Sequence, residues 1–437
     1  VQCLINVLSQ AQLRQLLFCQ KINFIKMKKN FYLTHHQYHI KAIFTVLKDI
    51  FENGEYADKA IEKIMRANKK WNVRERSFVS DTTYDLVRNW RLLVTAAGNA
   101  ETKKLSDKFL WELFAVYLIF DGYELPESKY FKDSNKKKII SQLEKFYKVR
   151  KIRESVPDWL DTLGEKELKK NWDKVLSALN QPASMVLRAN TLKTSTKELQ
   201  TKLEEENITE SSLIMWSPDA VQLKYVRNVF RCQSFHDGLF EVQDAASQMV
   251  AQFLDVKAGM RVIDACAGAG GKTLHLAALM QNKGRILALD VKESKLKELV
   301  KRAARADARI IETRKIDTSK VIKRLKDSAD RLLLDVPCSG LGVLRRNPDS
   351  KWKLNEAEIE RVKTIQRELL TQYSTMAKVN GKMVYAVCSI LPSEGEEQVS
   401  WFINQSNDNW KLIGEKRYSP EIHFADGFYM ALLERVK

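Results

Sequence analysis

A mostly parallel, doubly wound α/β sheet preceded by a helical region is the fold class this sequence of 437 residues predicts. Three observations predict it. From Gly238 onward, short apolar runs alternate with helical stretches, and such alternation specifies a parallel sheet because each parallel connection needs a crossover. Before that, residues 38–147 keep apolar side chains at helical spacing with few glycines and no competing strand alternation. Finally, the runs LLLDVPCSGLGVLRRNPDSKW and KMVYAVCSILPSEGEEQV each end at a cysteine, Cys338 and Cys388, followed by loop residues. That is how a buried parallel strand entering a loop reads, and ligands of open α/β sheets bind at such carboxyl ends.

In order along the chain, the segment VQCLINVLSQAQLRQLLFCQKINFIK carries Asn6, Gln10, Gln12 and Arg14 and lacks a small-residue cleavage site, so it is not read as a signal peptide. Met27-Lys28-Lys29-Asn30 reads as a natural polar start, which makes residues 1–26 an upstream extension and 1–37 an N-terminal segment. The helical domain, 38–150, places Ile40, Ile43, Val46, Leu47, Ile50 and Phe51 on one face and Ala60, Ile61, Ile64 and Met65 on another. Its Arg74, Arg76, Arg88 and Arg91 are candidates for phosphate contact, against the ordinary reading of solvated helix arginines. Residues 151–237 read as linker helices followed by a small α+β module. There Met185, Val186 and Leu187 form a strand, residues 190–195 a turn, and Leu199 and Leu203 a helix face; Arg188 and Asn190 leave the strand as polar groups. The catalytic candidate, 238–437, contains RVIDACAGAGGKTLHLAALM (strand, glycine turn, helix), GRILALDVKESKLKELVKRAARA (strand, helix), and the strands in ARIIETRKIDTSK and RLLLDV. A helix over 356–377 is expected to stop at Asn380-Gly381, and FADGFYMALLERVK is expected to form an antiparallel edge strand.

Lys and Arg number 73 against 55 Asp and Glu, a net charge of +18. That surplus favours a polyanionic partner, nucleic acid above all, although a lysine-rich solvated surface gives the same number. Six scattered cysteines, none at CxxC spacing, indicate reduced thiols rather than a disulfide framework or zinc site. His35, His36 and His39 have no companion ligand set, so no metal is expected. No apolar stretch reaches the ~18 residues of a membrane span, and the expected location is the cytoplasm.

The turn CAGAGGKT, residues 266–273, departs from a P-loop because Cys266 stands where the first glycine belongs, and from a dinucleotide fingerprint because Thr273 stands at the last position. Asp290, at the end of the second strand, is placed to take both hydroxyls of a ribose. Asp264, Asp290, Asp317 and Asp335 close successive strands, and an acidic rim suits a cationic sulfonium better than a pyrophosphate. S-adenosylmethionine fits both features. The two thiols suit methylation at pyrimidine C5, a poor nucleophile until a thiolate adds to C6 and makes C5 enamine-like.

At these residues the sequence resembles the RsmB-type (Sun family) RNA cytosine-C5 methyltransferases. ERSFVSDTTYDLVRNWR resembles the NusB-like RNA-binding domain of that family and PASMVLRANTLKTS its small module. FEVQDAASQMV, DACAGAGGKT, DVPCSGLGVLRRNPDSKW, YAVCSILPSEGEEQV and DGFYMALLE resemble its consecutive catalytic motifs. The resemblance implies a class I methyltransferase domain with a Rossmann-like, mostly parallel seven-stranded sheet, acting on small-subunit (16S) ribosomal RNA; a monomer is expected. It also implies an S-adenosylmethionine loop of Cys266, Ala267, Gly268, Ala269, Gly270, Gly271 and Lys272, with Asp290 on the ribose, Asp317 beside the adenine, and Asp335 beside the methionine part and target base. Cys388 matches the nucleophile and Cys338 the cysteine of product release. Ala269 stands where the family has proline, which is expected to loosen the loop. Arg345, Arg346, Lys351 and Arg188 are the RNA-contact candidates, with Asp349 able to neutralise one of them. The target cytosine is expected to be single-stranded or flipped. The rival reading is a non-catalytic RNA-binding ribosome assembly factor that retains the fold.

Overall fold

The computed structural model describes residue 31 and residues 33–98, 104–226 and 228–437. The expected N-terminal extension lies outside the described residues as far as residue 30. Two compact units emerge. One comprises the described residues up to Asp161 together with Asn347–Lys353; the other comprises Thr162–Arg346 and Leu354–Lys437.

The first unit is helical. Its helices are Leu33–Phe51, Ala57–Ala67, Val73–Arg88, Trp90–Ala96, Asp107–Phe120 and Lys136–Tyr147, and three of them begin at side-chain caps. Asn72 and Glu75 form a reciprocal capping box at Val73–Arg88, and the Ser106 hydroxyl accepts the Phe109 N–H at the start of Asp107–Phe120. The helix Asp107–Phe120 is buried from Phe109 to Ile119 except at Glu112, the mark of a helix at the centre of its unit. Ile40, Ile43 and Leu47 pack in the same core with Leu86 and Val87.

The arginines that were candidates for phosphate contact mostly close this unit instead. Arg76 donates to the carbonyls of Trp71, Met65, Asn68 and Lys69 at the end of the helix Ala57–Ala67, where such carbonyls lack intrahelical partners. Arg91 donates to the Val156 carbonyl and pairs with Asp158 at 2.7 Å. Arg88 is buried, while Arg74 is exposed.

Residues 347–353 pack in this unit too. Asp349 accepts the Ala57 N–H at 3.0 Å, and Lys353 reaches the Glu55 carbonyl at 2.8 Å. The Lys351 ammonium is buried and donates to the carbonyls of Arg88 (2.8 Å) and Glu154 (3.3 Å). Lys351 is therefore a helix-end cap and not a phosphate ligand. Burial, with Arg88 nearby, holds its pKa well below the usual lysine range.

The second unit contains two sheets. The small one has the order β2-β3-β1-β4, with β1 Met185–Ala189, β2 Ser211–Ile214, β3 Ser217–Leu223 and β4 Phe240–Val242, paired antiparallel throughout. The helix Thr196–Glu205, started by a Ser195–Glu198 capping box, covers it with Leu199 and Leu203. The large sheet is built from β5 Arg261–Asp264, β6 Arg285–Asp290, β7 Ile311–Lys315, β8 Ala329–Asp335, β9 Ala377–Val387, β10 Trp410–Tyr418 and β11 Phe428–Arg435. Its order is β10-β11-β9-β8-β5-β6-β7, with β11 antiparallel to both neighbours and β5 to β9 mutually parallel. This mostly parallel seven-stranded sheet is a class I methyltransferase fold.

Two expectations need correction. The last strand is antiparallel but interior, because β10 takes the edge. The helix Glu356–Tyr373 ends before Ser374, and Asn380-Gly381 lies inside β9. There Asn380 adopts a left-handed φ of 64°, and a Cβ on Gly381 would lie 2.8 Å from the Lys378 carbonyl oxygen. The pair makes an irregularity in the β8 pairing rather than a helix stop.

Candidate active site

β5 is flanked by β6 on one side and β8 on the other, so strand order reverses at its carboxyl end, where open α/β sheets form their binding crevice. The glycine-rich turn leaves β5 there. Gly270 caps the helix Gly271–Leu279 at a left-handed φ of 88°, and a Cβ on it would lie 2.5 Å from Leu299 Cγ. A Cβ on Gly268 or Gly271 would meet nothing within 4 Å, so the loop backbone borders open space. The Asp290 carboxylate, at the end of β6, accepts the N–H groups of Gly268 (2.8 Å) and Lys292 (2.7 Å). An open glycine cradle with a fixed carboxylate on the next strand fits a ribose-bearing ligand such as S-adenosylmethionine.

Lys272 reaches across to Asp335, with Nζ 2.6 Å from Oδ2. Burial pushes this ammonium's pKa down, but Asp335, followed by Cys388 and Asp264, draws it up on balance. Ala269, where a proline was expected, is not left loose: the Arg302 guanidinium holds its carbonyl at 2.7 Å and pairs with Glu241 at 2.9 Å.

The four strand-end aspartates do not form one rim. Asp264 is fully buried beneath the loop and accepts the Thr273 hydroxyl at 2.7 Å. Burial, opposed by that hydrogen bond and aided by Asp335, pushes its pKa up to about 7. Asp317 is exposed two residues beyond β7. Cys266 is half-buried in accessibility, yet burial of its thiol and three surrounding aspartates keep it a neutral thiol.

The two remaining cysteines converge. β8 and β9 are parallel neighbours with Asp335 opposite Ala386, so the loops leaving them run side by side. They bring Cys338 Sγ within 3.2 Å of Cys388 Sγ. The Gly342 N–H donates to the Cys388 carbonyl at 3.0 Å and its own carbonyl accepts the Gly427 N–H at 2.8 Å. A Cβ on Gly342 would lie 2.0 Å from the Gly427 carbonyl oxygen, so only glycine fits this approach. The hydrogen bond to Cys388, then burial, hold the Cys338 thiol well above the usual cysteine range, with Glu394 a smaller influence in the same direction.

The remaining RNA-contact candidates are internal braces. Arg345 donates to the carbonyls of Phe424, Ala425 and Pro182. Arg346 pairs with Asp426 at 2.6 Å and Asp244 at 2.9 Å. Arg188, 2% exposed, bonds Gln243 and the Gly271 carbonyl, and Asn190 bonds the carbonyls of Gly238 and Ala306. Each answers backbone carbonyls or carboxylates that would otherwise be buried without partners.

Glu394 was missed from the sequence. Its carboxylate lies beneath both cysteine loops and accepts from Ser339 and Ser389. The signal was present as a repeat: Cys338-Ser339-Gly340-Leu341 and Cys388-Ser389-Ile390-Leu391 share Cys-Ser-x-Leu, so one acceptor could serve both turns.

The family model described as 16S rRNA methyltransferase RsmB/F matches residues 251–434, and the one described as the RsmF/B-like ferredoxin-like domain matches residues 156–229. A probable ribosomal RNA small subunit methyltransferase B from Synechocystis sp. is 29% identical across 90% of this chain and 98% of that protein. The ribosomal RNA small subunit methyltransferase B of Pasteurella multocida is 34% identical across 64% of this chain and 65% of that protein. Among solved structures, that of PH0851 matches with a TM-score of 0.75 and 26% identity, over 91% of this chain and 98% of its own.

Proposed function

The chain belongs to the RsmB/F methyltransferase family, and from that premise we propose that it methylates C5 of a cytosine in 16S ribosomal RNA through a covalent Cys388–C6 adduct, with Cys338 assisting release. The observation that carries this reading is the 3.2 Å approach of the two thiols at the ends of adjacent parallel strands, beside a glycine cradle suited to S-adenosylmethionine.

Bound S-adenosylmethionine supplies an electrophilic methyl group. The protein's part is to make C5 able to take it. Cys388 Sγ adds as thiolate to C6, and the displaced electron pair makes C5 nucleophilic. After transfer the C5 proton is removed, the C6–S bond breaks, and the thiolate is restored as the aromatic base re-forms.

The surroundings favour this division between the thiols. The hydrogen bond to Cys388 and burial, with Glu394 adding to them, favour the neutral thiol at Cys338, which suits a group that assists the leaving step. Asp335, tied to Lys272, stands at the end of β8 between the cradle and the thiols and is assigned to the methionine part and the base. Asp290 is assigned to the ribose and Asp317 to the adenine. The helical region 38–150 is read as a NusB-like RNA-binding domain, 151–237 as linker helices with the small α+β module, and 238–437 as the methyltransferase domain. A monomer in the cytoplasm completes the reading.

Cys388→Ala should abolish methylation of 16S RNA. Cys338→Ala should leave a stalled protein–RNA adduct, visible as a shifted band on denaturing gels. Methylation at the normal rate by Cys388→Ala, or normal turnover without adduct in Cys338→Ala, contradicts the respective role.

A further inference from the structure

We propose that Glu394 is a positioning residue that holds both thiols in register through the serine that follows each of them; the catalytic meaning of that register rests on the function proposed above. Glu394 is entirely buried. Its Oε1 accepts the Ser339 N–H at 2.8 Å and the Gln366 amide at 3.1 Å, and its Oε2 accepts the hydroxyls of Ser339 and Ser389, both at 2.5 Å.

The two turns are built alike. Ser339 Oγ accepts the Leu341 N–H at 3.3 Å, and Ser389 Oγ accepts the Leu391 N–H at 3.2 Å. Each hydroxyl therefore closes its own turn and donates to the shared carboxylate. Because Ser339 follows Cys338 and Ser389 follows Cys388, a single side chain joins the backbones that carry both sulfurs. The carboxylate is itself fixed: the Glu394 carbonyl accepts the Tyr385 hydroxyl at 2.7 Å, and Gln366 also bonds the Pro337 carbonyl at 3.0 Å. Burying a carboxylate is costly unless every lone pair is used. Here the partners are two turns whose other links are the Gly342 N–H to the Cys388 carbonyl at 3.0 Å, the approach of the two sulfurs, and one serine-serine approach at 3.4 Å.

The charge matters as well as the shape. A carboxylate can accept from all four donors at once, whereas an amide in its place must present its N–H₂ to some of them. Glu394→Gln is thus nearly the same size but breaks the clamp on one side.

The test uses two readouts. The first is steady-state methylation, in which Glu394→Gln should lower kcat by at least about tenfold while the KM values for RNA and S-adenosylmethionine stay within about twofold, as expected for misplaced reacting groups. The second is the rate at which diamide joins Cys338 to Cys388 in the full-length protein without RNA or methyl donor. Two thiols lose two electrons and two protons to the azo bond, giving one disulfide and one hydrazine. The native protein should cross-link rapidly and Glu394→Gln at least about tenfold more slowly. Should Glu394→Gln not fold, Ser339→Ala and Ser389→Ala each remove one arm without touching the buried charge, and each should slow cross-linking. Native cross-linking rates in these variants overturn the proposal. Rapid cross-linking that depends on Glu394, in a protein that methylates no cytosine, upholds the clamp and overturns the catalytic reading.

Discussion

Asp264 shows how a single side chain is conditioned by the loop above it. Its pKa of about 7 lies far above the unfolded carboxyl value of 3.8, so the folded state holds this proton more tightly than the unfolded chain. The resulting stabilisation is complete below about pH 4 and is lost as pH rises through about 7. The difference corresponds to at most about 4 kcal/mol. Asp264→Asn keeps the shape and the bond to Thr273 but does not titrate. It should therefore lose less stability than the native protein between about pH 5 and pH 8 in parallel denaturant melts; identical pH dependence contradicts the assignment. At the same scale, the Cys338 thiol is held neutral by its hydrogen bond to Cys388 and by burial.

In the proposed reading, the glycine loop is the element on which donor binding turns. Gly270 combines a left-handed φ of 88° with a Leu299 contact that leaves no room for a methyl group. Gly270→Ala must either shift the helix Gly271–Leu279 or unwind its first turn, at a cost of about 1–3 kcal/mol. Calorimetric titration with S-adenosylmethionine should show at least about tenfold weaker binding; unchanged affinity would mean the turn does not shape the donor site. This element was legible in the sequence because glycine at a strand-to-helix turn carries its own backbone meaning, and the cysteine-ended strands were legible because their apolar runs are continuous. The strand Trp410–Tyr418 was not, since it is largely exposed and lacks that apolar signature. Asn380-Gly381 misled because the same left-handed preference serves a helix end and a strand irregularity. Arg188, Arg345, Arg346 and Lys351 misled for a different reason: basic residues beside catalytic motifs look alike in sequence whether they meet phosphates or internal carbonyls, and only tertiary packing tells them apart.

Across the whole molecule, the chain order does not follow the spatial units. Residues 347–353 lie nine positions or more beyond Cys338, yet they complete the helical unit, where Lys351 caps Arg88 and Glu154 and Trp352 donates to the Val87 carbonyl at 3.1 Å. Lys351→Ala removes the donor from two carbonyls and leaves a cavity, and should lower the stability of this unit by about 2 kcal/mol. Thermal denaturation followed by circular dichroism checks this; an unchanged midpoint would show that the cap contributes nothing. A net charge of +18 favours a polyanionic partner for the molecule as a whole, while the proposed chemistry is confined to two sulfurs and the cradle beside them. The most direct measurement is therefore peptide mapping, by mass spectrometry, of the native protein after incubation with S-adenosylmethionine and 16S RNA containing 5-fluorocytosine, whose C5 cannot release a proton. The account predicts one methylated nucleotide adduct, on Cys388. An adduct on Cys338, or methylation of unsubstituted RNA at an atom other than cytosine C5, would contradict it.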